Sequence, residues 1–265
     1  MELNGRTVLL TGATGGIGRP AAIRLSAAGA RVVLVARSAE PLRTLAAEIA
    51  AAGGQALAVP CDVACAEDCV RAVAEGVRRF GGLDALVNNA GVGYMRTLAE
   101  ATDEEIRLQI DVNLLGTVWM TRAALPALLQ RREAAIVNVS SLAGRIAPPY
   151  YGYYSATKFA LAALTESWRR ELRPRGVRVT LLQPAAVETP FLERAGRSRA
   201  LGMGPTAVVL RPERVAAAIV SALRRHPADV FIPFWSRGLA WLNLILPGIS
   251  DRLVNALFRY PGRER

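Results

Sequence analysis

The chain has 265 residues, 52% of them hydrophobic, enough for a sizeable core, and its basic residues exceed its acidic ones to give a formal net charge of +11. A nucleic-acid-binding protein is excluded all the same. The arginines are scattered instead of concentrated or interleaved with aromatics, and the densest groups, Arg169 to Arg178 and Arg194 to Arg199, suit solvated helix faces and loops.

Cys61, Cys65 and Cys69 include no Cys-x-x-Cys pair and have no nearby histidine. They exclude a disulfide framework or a zinc site and predict small apolar side chains in a reducing, cytoplasmic compartment. No Pro/Ser-rich linker, low-complexity block or repeat divides the chain, which predicts a single domain. The first strand is expected within a few residues of Met1, leaving no room for a signal peptide before it. The apolar stretch from Gly238 to Ser250 contains Pro247 and is too short to span a bilayer.

In chain order, Thr7 to Leu10 is a continuous apolar run, as expected of a strand buried on both faces. It enters Thr11-Gly12-Ala13-Thr14-Gly15-Gly16-Ile17-Gly18, ahead of an alanine-rich helix to about Ala28. Strand, glycine turn and helix predict a pyrophosphate site, because the glycines admit close backbone approach and the helix start offers free N–H groups. A P-loop is excluded, since Arg19 and Pro20 stand where it needs lysine. A second strand, Arg31 to Ala36, ends in Arg37-Ser38, where a dinucleotide site reads the adenosine ribose. An acidic residue there takes a free 2′-hydroxyl and an arginine a 2′-phosphate, so Arg37 predicts NADP(H) over NAD(H).

Next come a helix from Glu40 to Ala52, a strand from Ala56 to Val59 leading to Cys61-Asp62-Val63, a helix from Ala66 to Phe80, and a strand from Ala85 to Val87 entering Asn88-Asn89-Ala90-Gly91. This alternation predicts an α/β fold: a Rossmann-like, doubly wound parallel sheet of about seven strands with helices on both faces. Ligands of such sheets bind beyond the carboxyl ends of the strands, and each polar cluster falls at such an end.

Thr102-Asp103-Glu104-Glu105 predicts a capping box opening a long helical region to about Arg132. Within it Asn113, flanked by Val112, Leu114 and Leu115, would be a buried amide in need of partners. A strand from Ala135 to Val139 ends in Ser140-Ser141; a helix from about Tyr154 to Leu172 is closed by Pro174; and a strand from Val177 to Leu182 leads into Gln183 to Thr189. Residues 190–211 lack a clear period, as expected of a lid or substrate-binding segment. Pro212 opens a helix to about Arg225, His226 is expected as a loop or C-cap residue, and Asp229 to Ile232 is the last strand.

Lys158 is the only lysine, every other basic side chain being arginine. Lysine differs from arginine in being a compact ammonium that lies close to another titrating group, so a single exception marks a place of chemistry. Tyr154 stands four residues earlier, on the same face of a helix. A neighbouring cation is expected to lower the phenol's pKa and make it a proton donor and acceptor near neutrality.

These residues together resemble the short-chain dehydrogenase/reductase family over roughly Gly5 to Ile232. The matching motifs are Thr11-Gly12-x-x-x-Gly16-Ile17-Gly18, Asp62-Val63, Asn88-Asn89-Ala90-Gly91, Asn113, Ser141 and Tyr154-x-x-x-Lys158. The resemblance implies a reversible hydride transfer between NADP(H) and a small-molecule ketone, aldehyde or alcohol. It implies Tyr154 as acid/base, Lys158 as the cation that lowers its pKa and holds the nicotinamide ribose, Ser141 as the group orienting the substrate oxygen, and Asn113 as the anchor of a relay water. It places Gly12, Thr14, Gly15, Gly16, Ile17 and Gly18 along the pyrophosphate, Arg37 and Ser38 at the adenosine ribose, and Asp62 and Val63 against adenine. It sets Asn89, Ala90 and Gly91 beside the cofactor, and Pro184, Val187 and Thr189 at the nicotinamide. Ala185 stands where the family usually has glycine, and Gly15 where NADP-preferring members often have a basic residue. Such proteins are commonly homodimers or homotetramers. A non-catalytic NADP-binding, redox-sensing or scaffold protein is the alternative.

Residues 1–233 are thus expected to form the nucleotide-binding and catalytic unit, including segment 190–211. Residues 234–265 would form an apolar tail carrying Phe234, Trp235, Trp241, Leu242, Leu244, Ile245, Leu246, Leu253 and Leu257. The tail is open to three readings: a cap over a greasy substrate mouth suited to a lipid-, steroid- or isoprenoid-like carbonyl, an amphipathic helix on a membrane face, or ordinary packing and subunit contact.

Overall fold

The computed structural model describes residues 1–195 and 209–257. The predicted positions Arg197, Arg199, Leu201 and Met203 of the substrate segment, and 258–265 of the tail, lie outside the described residues. β1 (Thr7–Thr11), α1 (Gly18–Ala27), β2 (Arg31–Ala36), α2 (Ala39–Ala51), β3 (Gln55–Pro60), α3 (Ala66–Phe80) and β4 (Ala85–Asn88) follow the alternation read from the sequence. After α4 (Asp103–Ile110), α5 (Gly116–Leu128), β5 (Ala134–Val139), α6 (Gly152–Leu172), β6 (Val177–Pro184) and a short α7 (Pro190–Arg194), the chain resumes with α8 (Pro212–Arg225) and β7 (Asp229–Ile232).

The seven strands form one parallel sheet in the order β3-β2-β1-β4-β5-β6-β7. The order reverses between β1 and β4, so the connections from these two strands leave in opposite directions and open a crevice above them. Successive side chains of a strand face opposite sides, and both sides are covered. Val8, Leu10 and Leu34 enter a core with α1, α2 and α8, while Leu9, Val33, Leu86 and Ile136 enter a second core with α3 and α5. Cys69 and Cys61 are buried in that second core, with Cys69 Sγ donating to the Val63 carbonyl.

The predicted long helical region after Thr102 forms and runs without a gap from Asp103 to Leu128, with one irregular turn inside it. Its capping box forms, with Thr102 Oγ1 accepting from Glu105 N at 3.3 Å. A π-turn at Asp111–Leu115 then separates α4 from α5, which ends at Leu128, short of Arg132. The wide turn carries Asn113 inward, where its amide reaches backbone instead of solvent. Such insertions are common where a side chain must be re-aimed at a site. His226 ends α8 in the left-handed conformation with φ of 53°, as its C-cap place predicts.

The tail forms α9 (Ser236–Ile245) and α10 (Pro247–Leu257), two helices divided at Pro247 instead of one. Asn243 Nδ2 ties them to the body through the Arg145 carbonyl at 3.1 Å, and Ser250 Oγ donates to Asn243 Oδ1 at 2.8 Å. Among the described residues, no helix is long and apolar enough to cross a membrane.

A buried polar ladder braces the middle of the sheet. Asn88 Nδ2 donates to Asn138 Oδ1 at 2.8 Å and to Thr121 Oγ1 at 3.0 Å, and Asn138 Nδ2 donates to Thr165 Oγ1 at 2.9 Å. Asn138→Leu removes the acceptor for Asn88 without opening a cavity, so the lost pairing should cost about 1–3 kcal/mol. A lower urea midpoint with an unchanged slope is expected, and an unchanged midpoint would mean the ladder contributes nothing.

Candidate active site

The crevice above β1 and β4 is built by backbone fit. Gly12 turns with φ of 64°, and a Cβ there would come within 2.9 Å of Ala90 Cα. Asn89 Nδ2 donates to the Thr11 and Gly12 carbonyls at 3.0 and 3.3 Å, and Thr11 Oγ1 accepts from the N–H groups of Asn89 and Ala90 at 2.9 and 3.0 Å. These bonds lock the glycine turn against the end of β4. Any side chain at Gly16 would collide with Thr189, so the turn also seats the residue that follows β6.

A cavity of about 530 Å³ runs along this crevice. It is lined by Gly12 and Thr14 to Ile17, by Arg37 and Ser38, by Asp62 and Val63, and by Asn89 to Gly91. Ser141, Tyr154, Lys158, Pro184, Val187 and Thr189 line it further in. Of the sequence-predicted residues, Gly18 and Asn113 lie outside its wall. Gly18 packs beneath the turn, where a Cβ would strike the Gly12 carbonyl. Asn113 is fully buried behind the wall, donating through Nδ2 to Val92 O at 2.8 Å and Thr157 Oγ1 at 3.2 Å, and accepting from Val92 N at 2.8 Å.

The short-chain dehydrogenase model matches residues 6–200. The chain is 34% identical over 258 residues to dehydrogenase/reductase SDR family member 7B of Bos taurus, covering 93% of this chain and 79% of that protein. It is 34% identical over 231 residues to a 3-oxoacyl-[acyl-carrier-protein] reductase of Synechocystis, covering 87% and 93% respectively. The crystal structure of a 3-ketoacyl-(acyl-carrier-protein) reductase from Brucella melitensis complexed with NADH is similar at a TM-score of 0.78 and 31% identity, covering 86% of this chain and 97% of that one.

The chain belongs to the short-chain dehydrogenase/reductase family. It is accordingly an NAD(P)-dependent oxidoreductase, and the residues present fit a dinucleotide: the cradle has no room for side chains at Gly12 or Gly16, and the cavity extends from Arg37 to Tyr154.

The family's tyrosine and lysine meet at the inner end of the cavity. α6 carries both, and Lys158 Nζ lies 5.6 Å from the centre of the Tyr154 ring. Nζ donates to the Val139 carbonyl at 3.1 Å, at the tip of β5. The expectation that this ammonium lowers the tyrosine's pKa needs correction. Burial pushes the Tyr154 pKa well above its ordinary value, Tyr151 adds to the rise, and only hydrogen bonding with Ser141 opposes it. The amine gives one of its three N–H donors to Val139 and sits over the ring, and burial brings Lys158 itself down to about 8.

Tyr151, Leu142, Ala143, Ile146 and Pro148 carried no sequence signal for the site, whereas Phe191, Leu192 and Trp235 fall in the expected substrate segment and tail. Tyr151 packs edge-on against Tyr154 at 5.3 Å between ring centres and Phe191 tilts against it at 5.6 Å. Leu142, Ala143, Ile146, Pro148 and Leu192 continue the apolar wall, and the tail completes it with Trp235, Leu239 and Val254. The helical period of the tail was visible in the sequence, but the pairing of α9 with this wall was not. Met95 N donates to Ala195 O at 2.8 Å, fastening the end of α7 over the same cluster.

The lowered Lys158 pKa has a stability consequence. Between pH 8 and 10 the unfolded chain keeps a proton on Lys158 that the folded chain has released, so stability rises with pH across that window. Above pH 10 the raised Tyr151 and Tyr154 act in the opposite sense. Urea midpoints of the wild-type protein relative to Lys158→Met should therefore climb from pH 8 to 10, by about 2 kcal/mol in stability. A difference that stays flat with pH would show that the amine is not desolvated.

Proposed function

We propose that the protein is an NADP(H)-dependent reductase and dehydrogenase that interconverts an apolar ketone or aldehyde with its alcohol. The observation that carries this assignment is the convergence of Ser141, Tyr154 and Lys158 on one cavity whose remaining inner wall is aliphatic and aromatic. A bound nicotinamide would supply the hydride to the carbonyl carbon. Tyr154, kept protonated by its burial, holds a proton ready for the oxygen that becomes the alcohol. Ser141, whose hydroxyl accepts from Ala143 N at 3.1 Å and hydrogen-bonds with Tyr154, would turn its proton to that same substrate oxygen, so charge is met where it develops. Lys158 keeps a positive charge at the end of β5 at neutral pH and is placed to bond a ribose hydroxyl.

Asn113 acts as a positioning residue in this assignment. Both of its N–H bonds are taken by Val92 and Thr157, so its amide fixes the backbone after Gly91 and the base of α6. Arg37, exposed at the end of β2 and lining the outer cavity, supports the preference for NADP(H), because a guanidinium there pairs with a 2′-phosphate. A lipid-, steroid- or isoprenoid-like carbonyl suits this wall, because among the described residues Leu142, Ile146, Leu192, Trp235, Leu239 and Val254 line it and Lys158 is the one charged side chain beside them. The odd number of cysteines suits a cytoplasmic protein, and the family habit suits a homodimer or homotetramer.

Tyr154→Phe should lower kcat roughly 10²–10⁴-fold while NADPH still binds in a fluorescence titration; near-full activity would remove the acid/base role. Arg37→Ala should weaken NADPH about tenfold or more and leave NADH unchanged. If both cofactors weaken alike, the 2′-phosphate assignment fails. A panel of ketones of increasing chain length should show KM falling with length, whereas a non-catalytic NADP-binding protein would bind the cofactor and turn over none of them.

A further inference from the structure

The two tail helices have two different faces. Inward, Trp235, Leu239 and Val254 close the outer end of the cavity. Outward, Phe234, Leu244 and Ile245 are 76%, 72% and 65% exposed, and Trp241, Leu246, Ile249 and Leu253 are exposed beside them. Trp241, Leu244 and Ile245 share one side of α9 with Arg237, and Ile249 and Leu253 repeat at a spacing of four on α10 next to Arg252. Solvated helices normally turn mostly polar residues outward, and an exposed apolar run of this size, with only Arg237, Asp251 and Arg252 as its charges, marks an interaction surface.

We propose that the outer face of the α9–α10 hairpin docks on an anionic lipid bilayer, lying flat in the headgroup region, so that the cavity fills from the membrane. Charge complementarity argues for this occupant: a body of net charge +11 is drawn to an anionic leaflet. Within the α9–α10 hairpin itself Arg237 and Arg252 stand against Asp251, the same sign as the body. The helices are ten and eleven residues long, roughly 15 Å each, which suits lying in an interface and not crossing it. Tryptophan and arginine side by side fit that boundary, where an apolar body and a polar tip are satisfied together. The hairpin is also the outer wall of the cavity, so an apolar substrate, as proposed above, would pass from acyl chains to the reacting groups without crossing water.

The test uses the full chain and vesicles of phosphatidylcholine with or without phosphatidylglycerol. Wild-type protein should float with phosphatidylglycerol vesicles, and brominated acyl chains in those vesicles should quench its tryptophan fluorescence. Trp241→Glu combined with Leu244→Glu should weaken vesicle binding at least about tenfold while keeping NADPH oxidation with a short, water-soluble ketone. Brominated-lipid quenching of the unaltered protein carries the same question without any risk of misfolding. Absence of both flotation and quenching overturns the proposal. So does a wild-type oligomer that stays off the vesicles and falls apart in the double variant, since the face would then be a subunit contact. Should vesicles bind but no carbonyl be reduced, the docking surface stands and the catalytic assignment fails. Should long-chain ketones be reduced without vesicle binding, the reverse holds.

Discussion

The burial of one amine at the tip of β5 is the constraint on which the site depends. Lys158 is enclosed with a single carbonyl bond, from Val139, and that bond ties the middle of α6 to the sheet. Removing a charge from water is costly unless something holds it, and the cost appears as the fall in the pKa of Lys158. A guanidinium is larger and does not release its proton, so arginine is not an equivalent cation at this buried place.

Around that point the fold uses backbone groups as its fixings. Asn113 takes both the N–H and the carbonyl of Val92, Thr11 takes the N–H groups of Asn89 and Ala90, and Ser140 Oγ donates to the Lys158 carbonyl. Each bond joins two strand ends, or a strand end and a helix, and those of Thr11 cross the reversal of strand order between β1 and β4. Loops that would otherwise move are held to the sheet, and the crevice between β1 and β4 keeps its shape without a ligand. The π-turn is the visible cost of this arrangement, since a regular helix would carry Asn113 past Val92.

The outer half of the cavity is of another kind. Its walls come from α7, the tail helices and the segment before α6, held by a few contacts such as Met95 to Ala195 and Asn243 to Arg145. Apolar side chains dominate there, and packing of that sort selects by size and shape more than by hydrogen bonding. Chemistry and specificity are thus separated along one cavity: polar groups on rigid strand ends inside, apolar groups on outlying helices outside.

The order of strands and helices, the glycine turn, Arg37, and the pairing of Tyr154 with Lys158 were all legible in the sequence, because they rest on local periodicity and on spacings within one element. The π-turn at Asp111–Leu115, the division of the tail at Pro247 into two packed helices, and the arrival of Tyr151 and Phe191 around Tyr154 were not. Those features depend on contacts between residues far apart in the chain, and no periodic signal reports them. The sign of the Tyr154 shift belongs with them. Sequence alone shows which charge stands four residues away; how much water the fold leaves around the phenol is decided only when α6, α7 and the loop after β4 close together, and here the loss of water raises the pKa of Tyr154.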